Sequence, residues 1–210
     1  MELYRRLSPV KFSSLPSKKE MRDGWEVVLE YEDQGDGPFL IDLSHIPKWD
    51  VQDADLTHIR PMDLVIPERP GGCILENGLL INRMNATQAT ILHLLDVHPA
   101  IPQEAAYTDV SDAYAIMAVL GKEVFPLMEK VTPLDLSSPT KKAPFLLQGP
   151  VLHVRCQIVV LGEKGDDAAV FIACSRGYGQ SMCEAVLDAG LEWGLRPAGE
   201  NTFRNWLKQG

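Results

Sequence analysis

Residues 151–199 constrain the fold most, because this stretch carries both periodicities of secondary structure in direct succession. From Val151 to Val160 the chain alternates, with Leu152, Val154, Cys156 and Ile158 on one side and His153, Arg155 and Gln157 on the other. That period of two predicts a strand. Gly162 to Asp167 reads as a turn, and the apolar run Ala168-Ala-Val-Phe-Ile-Ala-Cys174 predicts a returning, buried strand. Gln180 to Trp193 then repeats its apolar residues at helical spacing, through Met182, Val186, Ala189 and Trp193. Gly194-Leu-Arg-Pro-Ala-Gly199 predicts a fixed exit turn. Upstream, Gly121 breaks the chain, and Lys122 to Val131 predicts a short helix that buries Val124, Leu127, Met128 and Val131. Ala113 to Leu120 fits either a helix, with Ala113, Met117 and Leu120 on one face, or a buried strand. The order strand, helix, strand, strand, helix is that of a ferredoxin-like split βαβ unit.

The first half reads differently. Residues 1–23 are polar and predict an extended arm or a short helix. Glu26–Tyr31 and Phe39–Leu43 predict two strands, paired as a hairpin across the turn cluster Asp33–Pro38. Residues 61–72 hold Pro61, Pro67, Pro70 and Gly71-Gly72 and predict irregular chain. Gly78–Arg83 and Gln88–Leu95 predict a further strand pair, turning at Met84–Thr87. Asp96–Gln103, with Pro99 and Pro102, is the expected linker. It divides a β-rich lobe, 1–100, from an α+β lobe, 101–210.

Composition narrows the class. The net charge is -9 over 210 residues. A chain this acidic repels the phosphates that dominate nucleic-acid affinity, so no nucleic-acid partner is expected. No apolar run approaches the roughly 18 residues that span a bilayer, and Met1-Glu-Leu-Tyr-Arg-Arg-Leu7 lacks the apolar core of a signal peptide. The expectation is a soluble, cytoplasmic protein with no membrane association. Cys73, Cys156, Cys174 and Cys183 form no C-x-x-C pair and have no histidine at ligand spacing, so free thiols and no metal site are expected.

Several motifs, in this order, resemble the glycine-cleavage T-protein family. Gly24-Trp25-Glu26 to Tyr31, followed by Asp42-Leu-Ser-His45, resembles its opening strands. Gly71-Gly72-Cys-Ile-Leu-Glu76-Asn77 resembles its Gly-Gly-x-x-Asp-Asp turn. Asp109-Val-Ser111, Leu120-Gly121 and Asp135-Leu-Ser137 resemble the start of its second lobe. Leu187-Asp-Ala-Gly190 and Gly194–Gly199 resemble its late helix and turn. The compressed middle, with Pro67–Pro70, and the helix begun at Arg176 resemble a sister group, the gamma subunit of heterotetrameric sarcosine oxidase. The resemblance runs from Gly24 onward and covers the first two lobes of the family, without its C-terminal barrel. It implies an α+β, T-protein-like folate-binding fold, built of antiparallel sheets with the ferredoxin-like second lobe.

The resemblance also implies where chemistry would sit. Glu76 and Asn77 occupy the turn whose acid faces the reacting part of the folate; Asn77 is neutral and cannot act as a base. Asp166 or Asp167 falls where a carboxylate grips the pterin through two parallel hydrogen bonds. Arg176 at a strand–helix junction is a candidate anion contact. Arg204 takes the place of the first arginine in the family's closing motif, with Lys208 a poorer match for the second. Each has a plainer reading. Glu76-Asn77-Gly78 is an ordinary hairpin turn, Lys164-Gly-Asp-Asp167 a charged turn, and Arg176 a surface residue. Trp25 and Trp193 fit a core better than a stacking platform. Asp42, Ser44 and His45 cannot form a hydrolase triad, because strand neighbours point to opposite faces. The expected function is an accessory subunit that binds tetrahydrofolate or another small molecule, beside a flavoprotein or lipoyl-carrier protein, in one-carbon or amine metabolism. The alternatives are an active tetrahydrofolate-dependent aminomethyl or methyl transferase and an assembly scaffold without ligand.

Overall fold

The computed structural model describes residues 4–95 and 98–209. Met1–Leu3, Gly210, and Asp96 and Val97 of the expected linker lie outside the described residues. Among the described residues the chain forms thirteen strands in three sheets, with three α-helices.

The smallest sheet is a hairpin of β1 (Pro16–Arg22) and β2 (Trp25–Tyr31), turning at Asp23-Gly24. Trp25, Val27 and Leu29 point inward and Glu26 outward, as the alternation predicts. The partner of β2 is not the one the sequence indicated. The strand at Phe39–Asp42 (β3) leaves for another sheet, and the polar segment from Pro16 takes its place. Burial explains the exchange. Leu40 and Ile41 are fully buried and need cover on both faces, whereas Lys18, Lys19 and Glu20 suit a solvated edge.

The main sheet contains β3 with β9 (Tyr114–Gly121), β10 (Phe145–Val151), β11 (Val154–Lys164), β12 (Asp167–Ser175) and β13 (Arg196–Ala198). Its order is β10-β11-β12-β9-β3-β13, antiparallel throughout except that β13 runs parallel to β3. The ambiguous segment at 113–120 is therefore a strand. Every residue from Ala115 to Gly121 is buried, because β9 lies between β12 and β3 with packing on both faces. The run β11-β12-β9 is the expected split βαβ order. Two features were not expected: an added edge strand, β10, and β3 standing between β9 and β13.

The third sheet has the order β5-β6-β7-β4-β8, from β4 (Lys48–Gln52), β5 (Cys73–Glu76), β6 (Leu79–Arg83), β7 (Gln88–His93) and β8 (Tyr107–Asp109). The sheets exchange strands across residue 100: β3 joins the later strands, and β8 pairs with β4.

Helices α1 (Val124–Val131) and α2 (Gly179–Ala189) cover one face of the main sheet, packing Leu127, Met128, Met182 and Val186 on Met117, Ile158 and Ile172. The opposite face, through Ile116, Ala118 and Phe171, packs on Leu80 and Leu92 of the third sheet and on Phe203 and Trp206 of α3 (Glu200–Lys208). The result is helix on sheet on sheet. The alternation of β11 holds for Cys156 and Ile158, which face the helices. Leu152 falls instead in the preceding turn at φ 55, 37% exposed. Helix α2 ends four residues short of the expected Trp193, which sits half-buried in a following single 3-10 turn. Gly190 accounts for the break, since a Cβ there would stand 2.5 Å from the Leu195 side chain that folds back over it.

Candidate functional site

The segment Asp42-Leu-Ser-His45 forms a fixed turn at the end of β3. The Asp42 carboxylate accepts from the Ser44 backbone N–H at 2.9 Å and from the Ser8 hydroxyl. The buried Ser44 hydroxyl accepts from the Ile116 N–H of β9 at 3.1 Å. Next in the chain, Lys48 is buried and donates to the carbonyls of Ser44 (2.7 Å) and Ile46 (2.8 Å). Burial pulls its ammonium down to about 7, against the opposing pull of Asp42, Asp112 and Asp109.

This turn aims His45 at Glu200, the first residue of α3. His45 Nε2 lies 3.0 Å from Glu200 Oε1. Arg22 of β1 reaches Oε2 at 2.6 Å, and Arg204, one helical turn along, places its Nε 2.9 Å from Oε1. The Glu200 side chain is only 1% exposed. Its backbone can come this close because Gly199 precedes it: a Cβ at 199 would stand 2.1 Å from the Leu29 carbonyl oxygen. Burial would raise the Glu200 carboxyl, but His45 and Arg204 outweigh it and hold the group at about 2. Glu200 is therefore an ionised hub at neutral pH.

Above this hub opens a cavity of about 260 Å³. Arg22, Arg204 and Arg6 supply its cationic edge beside His45, Trp25 and Trp49 its flat walls, and Asp23 and Asp109 its acids. Arg6 is held by Asp23 at 2.6 Å. Trp49 packs against His93 with ring centroids 4.2 Å apart. The volume is just below the roughly 300–1,000 Å³ of drug-sized ligand sites, enough for a small ring system. Indole walls with guanidinium and imidazole donors fit a planar, electron-rich or anionic group.

The residues singled out from sequence are distributed over several places. Arg204 lines the cavity. Arg176 reaches its wall from the other side of the chain: its guanidinium lies 5.4 Å from the Trp25 ring centroid, donates to the Leu7 carbonyl and is 3.9 Å from Asp112. Glu76 and Asn77 are exposed on the β5–β6 hairpin, where Asn77 (φ 51) and Gly78 (φ 77) make the turn. That hairpin borders a separate hollow of about 270 Å³, which shares His93 with the main cavity. Asp166, 81% exposed, pairs with Lys122 at 3.2 Å on the β11–β12 turn, and Asp167 opens β12 opposite Lys164. Neither aspartate lines the main cavity. Trp25 is 2% exposed, so the core reading holds, and it serves as a wall as well. Glu200 and Lys48 were missed. The available signal for Glu200 was its spacing from Arg204, i to i+4 at a helix start directly after glycine; Lys48 carries no such signal, being one basic residue in a short strand.

No family model matches the chain. Over 115 residues it is 30% identical to an aminomethyltransferase of Saccharopolyspora erythraea, covering 55% of this chain and 30% of that protein. Over 138 residues it is 28% identical to the sarcosine oxidase subunit alpha of Rhizobium meliloti, covering 61% of this chain and 13% of that protein. The chain thus spans less than a third of the length of these relatives. Among solved structures, a chain of the heterotetrameric sarcosine oxidase from Corynebacterium sp. U-96 superposes with a TM-score of 0.61 at 13% identity, over 73% of this chain and 84% of that one. The chain is related, over part of its length, to the aminomethyltransferase and sarcosine oxidase family, and its fold is the α+β, T-protein-like one. Among the described residues no helix is long and apolar enough to cross a membrane.

Proposed function

We propose that this relative of aminomethyltransferases and sarcosine oxidase subunits is an accessory ligand-binding subunit in one-carbon or amine metabolism, working beside a flavoprotein or lipoyl-carrier protein. Tetrahydrofolate is its first candidate ligand. The observation that carries this reading is the state of Glu200. A carboxyl held at about 2 and contacted by His45, Arg22 and Arg204 neither donates nor takes up a proton at neutral pH. Glu200 orients the edge of a binding cavity and is not itself its acid or base. Trp25 and Trp49 would flank the ring of the ligand, and Arg204 with Arg6 would meet its carbonyl or carboxylate oxygens. Asp166 and Asp167, on their own turn, are the alternative pterin contact, and Arg176 would act by holding the Trp25 wall.

Calorimetric titration of the chain with tetrahydrofolate tests the reading. Trp49→Phe should weaken binding several-fold, in line with a stacking contribution of about 0.5–1.5 kcal/mol, while Asp166→Asn and Asp167→Asn leave it unchanged. The reverse pattern moves the site to the β11–β12 turn. No binding at all supports the scaffold reading. Co-purification of the native protein identifies the partner class.

One observation favours the transferase as a second reading: the hollow beside Glu76 shares the lining residue His93 with the main cavity. Turnover of a methylated amine or a lipoyl-linked aminomethyl carrier at about 1 s⁻¹ or faster, an ordinary enzyme rate, would put that reading first.

A further inference from the structure

We infer that Cys156 and Cys174 form an oxidation site, a paired dithiol that a small peroxide converts to a cross-strand disulfide. The two residues are direct register partners on β11 and β12. Partners in an antiparallel pair project from the same face, with Cα atoms about 4.5–5.5 Å apart. That separation lies inside the range of about 4.4–6.8 Å found for disulfides. The Cys156 thiol donates to the Val154 carbonyl at 3.4 Å. Both cysteines also border a surface groove of about 510 Å³.

Cys156 is the less buried of the two, 5% exposed against 1% for Cys174, and is therefore the thiol that a peroxide meets first. Its sulfur attacks a peroxide oxygen, the O–O bond breaks, and Cys156 becomes a sulfenic acid with loss of hydroxide. The Cys174 sulfur then attacks the Cys156 sulfur, its proton leaves with the departing hydroxide as water, and the disulfide forms. The two thiols lose two electrons in total, and hydrogen peroxide is reduced to two waters. Cys73 pairs in register with Asn82 and Cys183 lies on α2, so neither has a cysteine register partner, and burial pushes both thiols up to about 12. The new bond would tie β11 to the end of β12, two residues before Arg176 and its hold on Leu7 and Trp25.

The inference is independent of any ligand. The test exposes the full-length protein to hydrogen peroxide, blocks remaining thiols with N-ethylmaleimide and maps the peptides by mass spectrometry. The expected result is a Cys156–Cys174 linked peptide, two of the four thiols lost, and full reversal by dithiothreitol. In Cys174→Ala, Cys156 should stop at the sulfenic acid, trapped by dimedone. Oxidation of Cys73 or Cys183 ahead of the pair would overturn the inference. So would four unmodified thiols in the folded protein under conditions that fully oxidise it in urea.

Discussion

His45 Nε2 and Glu200 Oε1 stand 3.0 Å apart although 155 residues separate them in the chain. The contact joins the turn after β3 to the first residue of α3, and Arg22 brings β1 to the same carboxylate. Three elements that build the cavity therefore meet at one buried anion. The edge of the cavity and the fold share a single anchor.

Replacing Glu200 by Gln should cost on the order of 3–5 kcal/mol near neutral pH, because Arg204 loses its carboxylate partner and Arg22 keeps only the exposed Glu20. The pH dependence has a definite sign. The folded carboxyl lies at about 2 and the ordinary value is 4.5, so its stabilisation is complete above 4.5 and is lost as pH falls toward 2. The gap between wild type and Glu200→Gln should close across that window in urea titrations. A gap that stays constant down to the bottom of the window would show that the carboxylate charge is not what holds the cluster.

Lys48 gives a slope of the same sign in a higher pH window. Its ammonium titrates at about 7 when folded and at 10.5 ordinarily. Between those values the unfolded chain binds a proton that the native chain does not, so this residue makes stability rise with pH. Lys48→Met removes the rise along with the hydrogen bonds to Ser44 and Ile46. Denaturation series at steps between pH 7 and 9 should show wild type gaining on the variant; parallel curves would mean that Lys48 is not desolvated as its burial indicates.

Ile158 is fully buried between β11 and the helix layer. Ile158→Asp should cost more than about 4 kcal/mol and leave little folded protein, since no partner is available for the charge. Ile158→Val should cost only about 0.5–1.5 kcal/mol. Melting curves decide it, and an Asp variant that melts with wild type would reverse the facing of the strand.

Arg176 pins the N-terminal arm through the Leu7 carbonyl and the Trp25 ring. Arg176→Ala should cost about 1–2 kcal/mol from the lost hydrogen bond and cation–π contact. Trypsin should then cut faster at Arg5, Arg6 and Lys11. Unchanged cleavage would assign the hold on the arm to Asp23, Asp112 and Gln180 instead.

Local pattern carried much of the architecture. The alternation at Cys156 and Ile158, the apolar run ending at Cys174 and the stripe of Met182 and Val186 are properties of a few adjacent residues. They set which face of each element is buried, and the observed core uses those faces. The order of motifs from Gly24 to Gly199 likewise carried the family relation. What remained hidden depends on residues far apart in sequence. Periodicity marks β3 as a strand but does not say whether it pairs with β2 or enters the main sheet beside β9. That choice is made by which surfaces can be covered on both faces once the whole chain is compact.

The site shows the same division. Arg204 was visible because it belongs to a motif, and Asp166, Asp167, Glu76 and Asn77 were singled out because acids in turns resemble a known pattern. The tertiary structure instead gathers His45, Arg22 and Glu200 from three distant segments around one desolvated carboxylate, and sets Cys156 opposite Cys174. By itself the sequence determined the type and buried face of its strongly periodic elements, and its kinship, since these follow from spacing along the chain. Only the fold decided which charges share a buried site, because the strength of an ion pair depends on separation in space and exclusion of water.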